Sequence, residues 1–151
     1  MSGSHLKAPG FAGGYLLGDF VTLLQHKLPV KVVVFNNGTL GFVELEMKAS
    51  GFLDTAVALT NPDFAAMANA AGVLAVRVED PSDLAGAMKH VLAHDGPALL
   101  DVVTARQELA MPPKMELAQA EGFSLWMMKA VLDGRAKELI ELARTNVPFL
   151  R

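Results

Sequence analysis

The sequence predicts an α/β fold of three layers, a mostly parallel sheet with helices on both faces. Three observations carry that expectation. The runs "VKVVVF" (30–35), "VLAVRV" (73–78) and "PALLDVV" (97–103) are short, apolar and rich in β-branched residues, as strands covered on both faces are. Amphipathic stretches with helix punctuation stand between them. Strands that alternate with helices fold as parallel sheets, because each crossover helix has to pack back on a sheet face.

Taken in chain order, the opening "MSGSHLKAPG" is small and polar, and residues 1–13 read as an added, non-native leader. Leu16, Leu17, Phe20, Leu23 and Leu24 stand near helical spacing and predict a helix over 14–27, ended by Pro29. After the first strand, glycines at 38, 41 and 51 and weak periodicity predict a loop over 38–60 with one short helix. Asn61 is the expected cap of a helix over Pro62–Ala71, with Gly72 at its end. Asp80-Pro81 starts another helix that runs to His94 and is stopped by Gly96. Beyond the last strand "LAMPPK" (109–114) breaks the chain, so an α/β domain over 14–115 is expected to give way to a helical tail over 116–151. The tail holds one helix near 120–132, crowded with Phe123, Leu125, Trp126, Met127 and Met128, and a second after Gly134. In the second, Ala136, Leu139, Ile140 and Ala143 form the expected apolar stripe, with Arg135, Lys137, Glu138, Glu141 and Arg144 outside it.

Composition narrows the function classes. The chain has 151 residues, 52% hydrophobic and 19% charged, with a formal net charge of −3. That is a foldable chain, and its mild acidity argues against a nucleic-acid partner. Without cysteine there is neither a disulfide framework nor a thiolate metal site, which fits a cytoplasmic protein. No apolar run reaches bilayer-spanning length. His5, His26, His90 and His94 make no metal set, since His90 and His94 share a predicted helix face without a third ligand. Neither a nucleophile elbow nor a phosphate-binding lysine loop is present. The methionines of 111–128 suit core filling and subunit contact better than a soft-metal surface.

One stretch asks for chemistry. Asn36 and Asn37 end the first strand, and Gly38 and Gly41 follow. In open α/β sheets ligands sit beyond the carboxyl ends of the strands. An amide oxygen with a loop carbonyl is hard-oxygen ligation, suited to magnesium or calcium beside a diphosphate. The same residues also suit a plain turn that closes a strand.

The stretch "LPVKVVVFNNGTLGFVELEMKASGF" (28–52) resembles the cofactor-binding domain of thiamine-diphosphate enzymes. Within them the chain is most similar to the flavin-containing pyruvate oxidases, including the lipid-activated, quinone-reducing pyruvate dehydrogenases. The similarity runs from Gly14 to Arg151 and takes in "HDGPALLDVV", "ELAMPPK", "GFSLWM" and "GRAKELIELARTN". The resemblance implies the thiamine-diphosphate-binding fold and a part in the oxidative decarboxylation of pyruvate, with thiamine diphosphate and Mg2+ as cofactors. It also implies FAD in the parent enzyme, bound by a domain not found here. It implies that Asn37 and the main-chain oxygen of Thr39 hold the metal, and that Gly38, Leu40, Gly41 and Phe42 line the cofactor. Glu46 falls where related oxidases carry an acidic residue near the substrate; a solvated loop glutamate is the alternative.

The departures matter as much. Counted back by the family's spacing, the metal-binding aspartate of a Gly-Asp-Gly motif belongs near position 10, where this chain has Gly10. Gly18-Asp19 lies within a helix pattern and matches a Gly-Asp that the family does not use for metal. The strand before the motif also looks missing. A pyrimidine-binding domain, usually the partner subunit's, has no room ahead of residue 14. The expectation is therefore a fragment with part of a Mg-diphosphate site, binding cofactor weakly or not at all and inactive alone. Its open sheet edge is expected to be repaired by self-association, by strand exchange or by pairing of the leader. The alternative is a non-catalytic module that associates with protein or membrane lipid. Over 134–151, Leu139, Ile140, Val147, Phe149 and Leu150 would meet a bilayer at the inner membrane face, with Arg135, Lys137, Arg144 and Arg151 near the headgroups.

Overall fold

The structure, a computed structural model, describes residues 5–9, 17–106 and 117–146. In chain order the elements are β1 (His5–Pro9), α1 (Leu17–Gln25), β2 (Lys31–Asn36), α2 (Gly41–Ala49), α3 (Phe64–Ala70) and β3 (Leu74–Val78). A 3-10 turn (Pro81–Asp83), α4 (Leu84–Ala93), β4 (Ala98–Val103), α5 (Leu117–Leu132) and α6 (Ala136–Asn146) follow. The chain divides into two compact units, Met1–Gly38 with Thr60–Thr104 and Thr39–Leu59 with Ala105–Arg151.

The first unit holds the sheet, four parallel strands in the order β1-β2-β4-β3. Alternation along the strands sends side chains to opposite faces. Val32, Val34 and Leu99 pack on one face with Phe20 of α1 and Phe64, Ala65 and Ala68 of α3. Ala98, Leu100 and Val78 pack on the other with Val91 of α4. The three-layer α/β architecture is the one expected.

The strand that looked missing is supplied by residues 5–9. They run parallel beside β2, with Pro9 opposite Phe35, and so cover that edge of β2.

Helix ends differ from the expectation for local reasons. Where residues 14–27 were expected helical, α1 spans Leu17–Gln25, with residues 14–16 outside the described part. It ends in a left-handed Lys27, which closes the turn through Lys27 N–H to Leu24 O and Leu28 N–H to Leu23 O. Gly72 ends α3 by the same pair of bonds, and there glycine meets the positive φ without strain. The cap of α3 is Asp63, whose carboxylate accepts from Ala66 N–H at 2.8 Å, so the helix starts later than Pro62. Asn61, the expected cap, is engaged elsewhere. Asp80 accepts from the Ser82 N–H at 2.8 Å and starts the 3-10 turn. His94 has left the helix in an extended conformation, so it does not share a helix face with His90. Its carbonyl accepts instead from the buried ammonium of Lys31, which also bonds the Gly96 carbonyl.

In the second unit α5 and α6 pack around Trp126, Ala130 and Leu142, with Leu53, Phe123 and Leu139 against them, and α2 meets Trp126 through Lys48. The helix expected near 120–132 begins at Leu117. The expected stripe on α6 is a correction. Leu139 does face inward, but Ile140 is 51% exposed, Ala136 and Ala143 are exposed, and Leu142 takes the buried place. The helix is turned because Glu138, expected outside, is drawn inward by charged partners. No helix among the described residues is long and apolar enough to cross a membrane.

Candidate functional site

The asparagine pair divides its work. Asn36 is buried at the end of β2, where its side-chain oxygen accepts from Asn61 Nδ2 at 2.9 Å and its carbonyl accepts from Thr104 N–H at 3.1 Å. It fastens the strand end. Asn37 is half-buried, and Gly38 turns the chain with φ of 65°, where the first unit ends.

In the second unit Thr39 is buried and bridges antiparallel to Ala58, while Leu40 N–H donates to Val57 O at 2.9 Å. The Thr39 hydroxyl donates to Glu44 Oε2 at 2.6 Å, with Val57 O at 3.1 Å as a second acceptor. Gly41 then begins α2. First-turn N–H groups of a helix have no intrahelical acceptor and together favour an anion. Phe42 is 68% exposed, and Glu46 lies exposed one turn later on the same side of α2, away from Glu44 and Lys48. The structure thus brings two of the sequence-derived site residues, Phe42 and Glu46, onto one open helix face.

A second cluster escaped sequence reasoning. Lys48, 1% exposed, donates to Glu44 Oε1 at 2.6 Å and to Glu138 Oε1 at 3.0 Å, and lies 4.7 Å from the centre of the Trp126 ring. Arg135 donates to Glu138 Oε2 and, through Nη2, to both carboxylate oxygens of Asp54 at 2.8 and 2.9 Å. Glu44, Asp54 and Glu138 offer oxygens within 4.8 Å of one another, as metal ligands would. Lys48 and Arg135 already supply the positive charge, so the trio is an ionic core. The signals lay in the sequence as Glu44/Lys48 at i,i+4 and Arg135/Glu138 at i,i+3, but such spacings usually mark solvated pairs.

Burial alone would raise the Asp54 pKa. The Arg135 hydrogen bond, a backbone hydrogen bond and the Lys48 and Arg135 charges outweigh it and hold the carboxyl below its ordinary value. A lowered pKa means that ionised Asp54 stabilises the fold. That contribution is complete above the ordinary carboxylate range and is lost as pH falls through the lowered value. Replacing Arg135 with glutamine should therefore move the acid-unfolding midpoint to higher pH, read by circular dichroism across an acid titration. An unchanged midpoint would mean that Arg135 does not set the Asp54 pKa.

Residues 12–102 match the family model of the thiamine pyrophosphate enzyme C-terminal TPP binding domain. The chain belongs to that family. Thiamine pyrophosphate is another name for thiamine diphosphate, so this is a thiamine-diphosphate-binding domain. It is 33% identical over 135 residues to the thiamine pyrophosphate-containing protein YdaP of Bacillus subtilis, covering 88% of this chain and 23% of that protein. To the mitochondrial acetolactate synthase of Schizosaccharomyces pombe it is 35% identical over 97 residues, covering 62% of this chain and 14% of that protein. The solved thiamine diphosphate-dependent 4-hydroxybenzoylformate decarboxylase of Rhodococcus jostii RHA1 superposes with a TM-score of 0.64 at 27% identity, over 68% of this chain and 20% of that chain. This thiamine-diphosphate-binding domain thus spans less than a quarter of each relative.

The residues present fit part of a magnesium–diphosphate group. The start of α2 offers N–H groups to an anion, and the Asn37 amide and Thr39 carbonyl are hard oxygen donors. A carboxylate is absent from 36–42, and Glu44 is bound up with Thr39 and Lys48. Position 10, where the family's aspartate was expected, lies outside the described residues, directly after β1 in the chain.

Proposed function

We propose that this chain is the cofactor-binding part of a thiamine diphosphate-dependent enzyme that oxidatively decarboxylates pyruvate and passes the electrons to a quinone. The cofactor's diphosphate and Mg2+ would lie along Asn37–Phe42, with Asn37 and the Thr39 carbonyl on the metal. Gly38, Leu40 and Gly41 would follow the diphosphate, Phe42 would stand beside the reactive ring and Glu46 near the substrate. The observation that carries this reading is the order of parts within one short stretch. A parallel strand ends on amides, a left-handed glycine follows, and a helix begins at Gly41 with Phe42 and Glu46 on one open face. The preference for pyruvate and quinone rests on the tail resemblance through "GFSLWM" and "GRAKELIELARTN". The coarser assignment, a thiamine diphosphate enzyme, rests on family membership.

Residues 36–42 hold no carboxylate, so this stretch by itself offers Mg2+ only neutral oxygens. Calorimetric titration with thiamine diphosphate and Mg2+ tests this. The parent chain should bind weakly, and Gly10→Asp should tighten binding at least about tenfold by adding the anionic ligand that divalent cations favour. Equal binding by both chains would place the missing ligand elsewhere. No binding by either would remove Asn37–Phe42 as a cofactor site in this chain.

A second reading, association with protein or lipid through the C-terminal helices, draws on the exposure of Leu132 and Ile140. Leu139 and Arg135, counted among its contacts, are already taken up by Trp126 packing and by Asp54 and Glu138. The remaining contacts, Val147, Phe149, Leu150 and Arg151, lie outside the described residues.

A further inference from the structure

We infer that Glu138, on the C-terminal helix, is a positioning residue for Thr39, acting through the buried pair Lys48 and Glu44. This rests on the reading of Thr39 as a main-chain metal ligand, but the positioning itself is a property of the chain alone.

The contacts form one unbroken series within the second unit. Glu138 Oε1 accepts from Lys48 at 3.0 Å, Lys48 donates to Glu44 Oε1 at 2.6 Å, and Glu44 Oε2 accepts the Thr39 hydroxyl at 2.6 Å. Each member has a reason to stay in place. Lys48 and Glu44 are almost fully enclosed, so neither can exchange its partner for water. Glu138 is fixed from its other side by Arg135, which Asp54 holds in turn. The backbone on either side of Thr39 is tied as well, by the bridge to Ala58 and by Leu40 N–H on Val57 O. Buried and partnered at both ends, the Glu44 carboxylate has one orientation that serves Lys48 and Thr39 together. Neutralising Glu138 leaves Lys48 with Glu44 as its anionic partner among the described residues, and the carboxylate must reorient toward the ammonium at the expense of the Thr39 hydroxyl. A residue about a hundred positions downstream thereby holds the Thr39 side chain, and with it the backbone at Thr39–Leu40, within the proposed cofactor stretch.

The test compares Glu138→Gln with Glu141→Gln, an exposed glutamate of the same helix, in the full chain. Amide resonances of Thr39, Leu40 and Gly41 and hydrogen exchange at Leu40 are read by NMR, alongside the melting temperature. We expect Glu138→Gln to shift all three resonances and to speed Leu40 exchange about tenfold over any change predicted from global stability. Glu141→Gln should do neither. In a Thr39→Val background, which lacks the hydroxyl, Glu138→Gln should have no further effect on Leu40. In Thr39→Ser, which keeps it, the effect should return. A lower melting temperature with unmoved resonances would reduce Glu138 to a structural role and overturn the inference. Persistence of the Leu40 effect in Thr39→Val would overturn it too. Titration of the same samples with Mg2+ and thiamine diphosphate separates the two claims. Loop shifts without cofactor binding would sink the proposed function and keep the positioning. Binding weakened about tenfold by Glu138→Gln alone is the result expected if both hold.

Discussion

Replacing Lys48 with methionine should cost the second unit about 3–5 kcal/mol, the usual penalty for removing one partner of a buried ion pair. Methionine keeps most of the stem volume, so the loss isolates the charge. Glu44 and Glu138 would face each other with no ammonium between them, and Arg106, 3.8 Å from Glu44 and partly exposed, is a poor substitute. The contact of the ammonium with the Trp126 ring is lost as well, worth about 0.5–2 kcal/mol in such settings. For a chain of this size the melting temperature should fall by about 10 °C. Adding Glu138→Gln should recover part of the loss, because it removes one of the two opposed carboxylates. Urea denaturation of the three chains measures both effects. If Lys48→Met proves neutral, the cluster is solvated in solution and is not an ionic core.

Replacing Gly122 with alanine should be strongly destabilising. Helix propensity alone would favour the change by about 1 kcal/mol. A β-carbon at Gly122, however, would overlap the Ala49 carbonyl oxygen, sit 2.8 Å from its carbon and 3.2 Å from Gly51 N. Those are backbone atoms, which cannot step aside as a flexible side chain would. Helix α5 would have to lift from the end of α2, at about 3 kcal/mol or more. Gly86 on α4 is the matched control, because a β-carbon there meets nothing within 4 Å. Gly86→Ala should stabilise by about 0.5–1 kcal/mol. Opposite signs for the two substitutions confirm the close helix crossing. A stabilising Gly122→Ala would show that α5 does not approach α2 as described.

How far the sequence alone leads depends on whether the deciding interaction is local. The strands were legible because β-branched runs such as Val32–Val34 state their own preference and alternate with helix patterns. Gly72 and Asp80 marked ends and starts for the same reason, since turns and caps are settled within a few residues. The stretch Asn37–Phe42, proposed as the cofactor site, stands in the sequence as a contiguous motif, and it lies within the matched thiamine-diphosphate-binding domain. What the sequence left open was the choice among equally suitable local partners. Asn61 and Asp63 can both cap a helix, and Asp63 does so because Asn61 is held by Asn36, twenty-five positions earlier.

Residues 5–9 carry no strong strand pattern of their own, and the free edge of β2 makes them a strand. The orientation of α6 is the clearest case. Hydrophobicity alone turns Ile140 and Ala143 inward, but a buried lysine on α2 draws Glu138 to itself and rotates the stripe toward Leu142. Helix and strand identity and turns were thus determined by the sequence itself, through preferences that act over a few residues. The ionic core, the closing strand and the rotation of the last helix were decided by the tertiary structure, because burial strengthens charge pairing and unpaired edges only once distant segments have met.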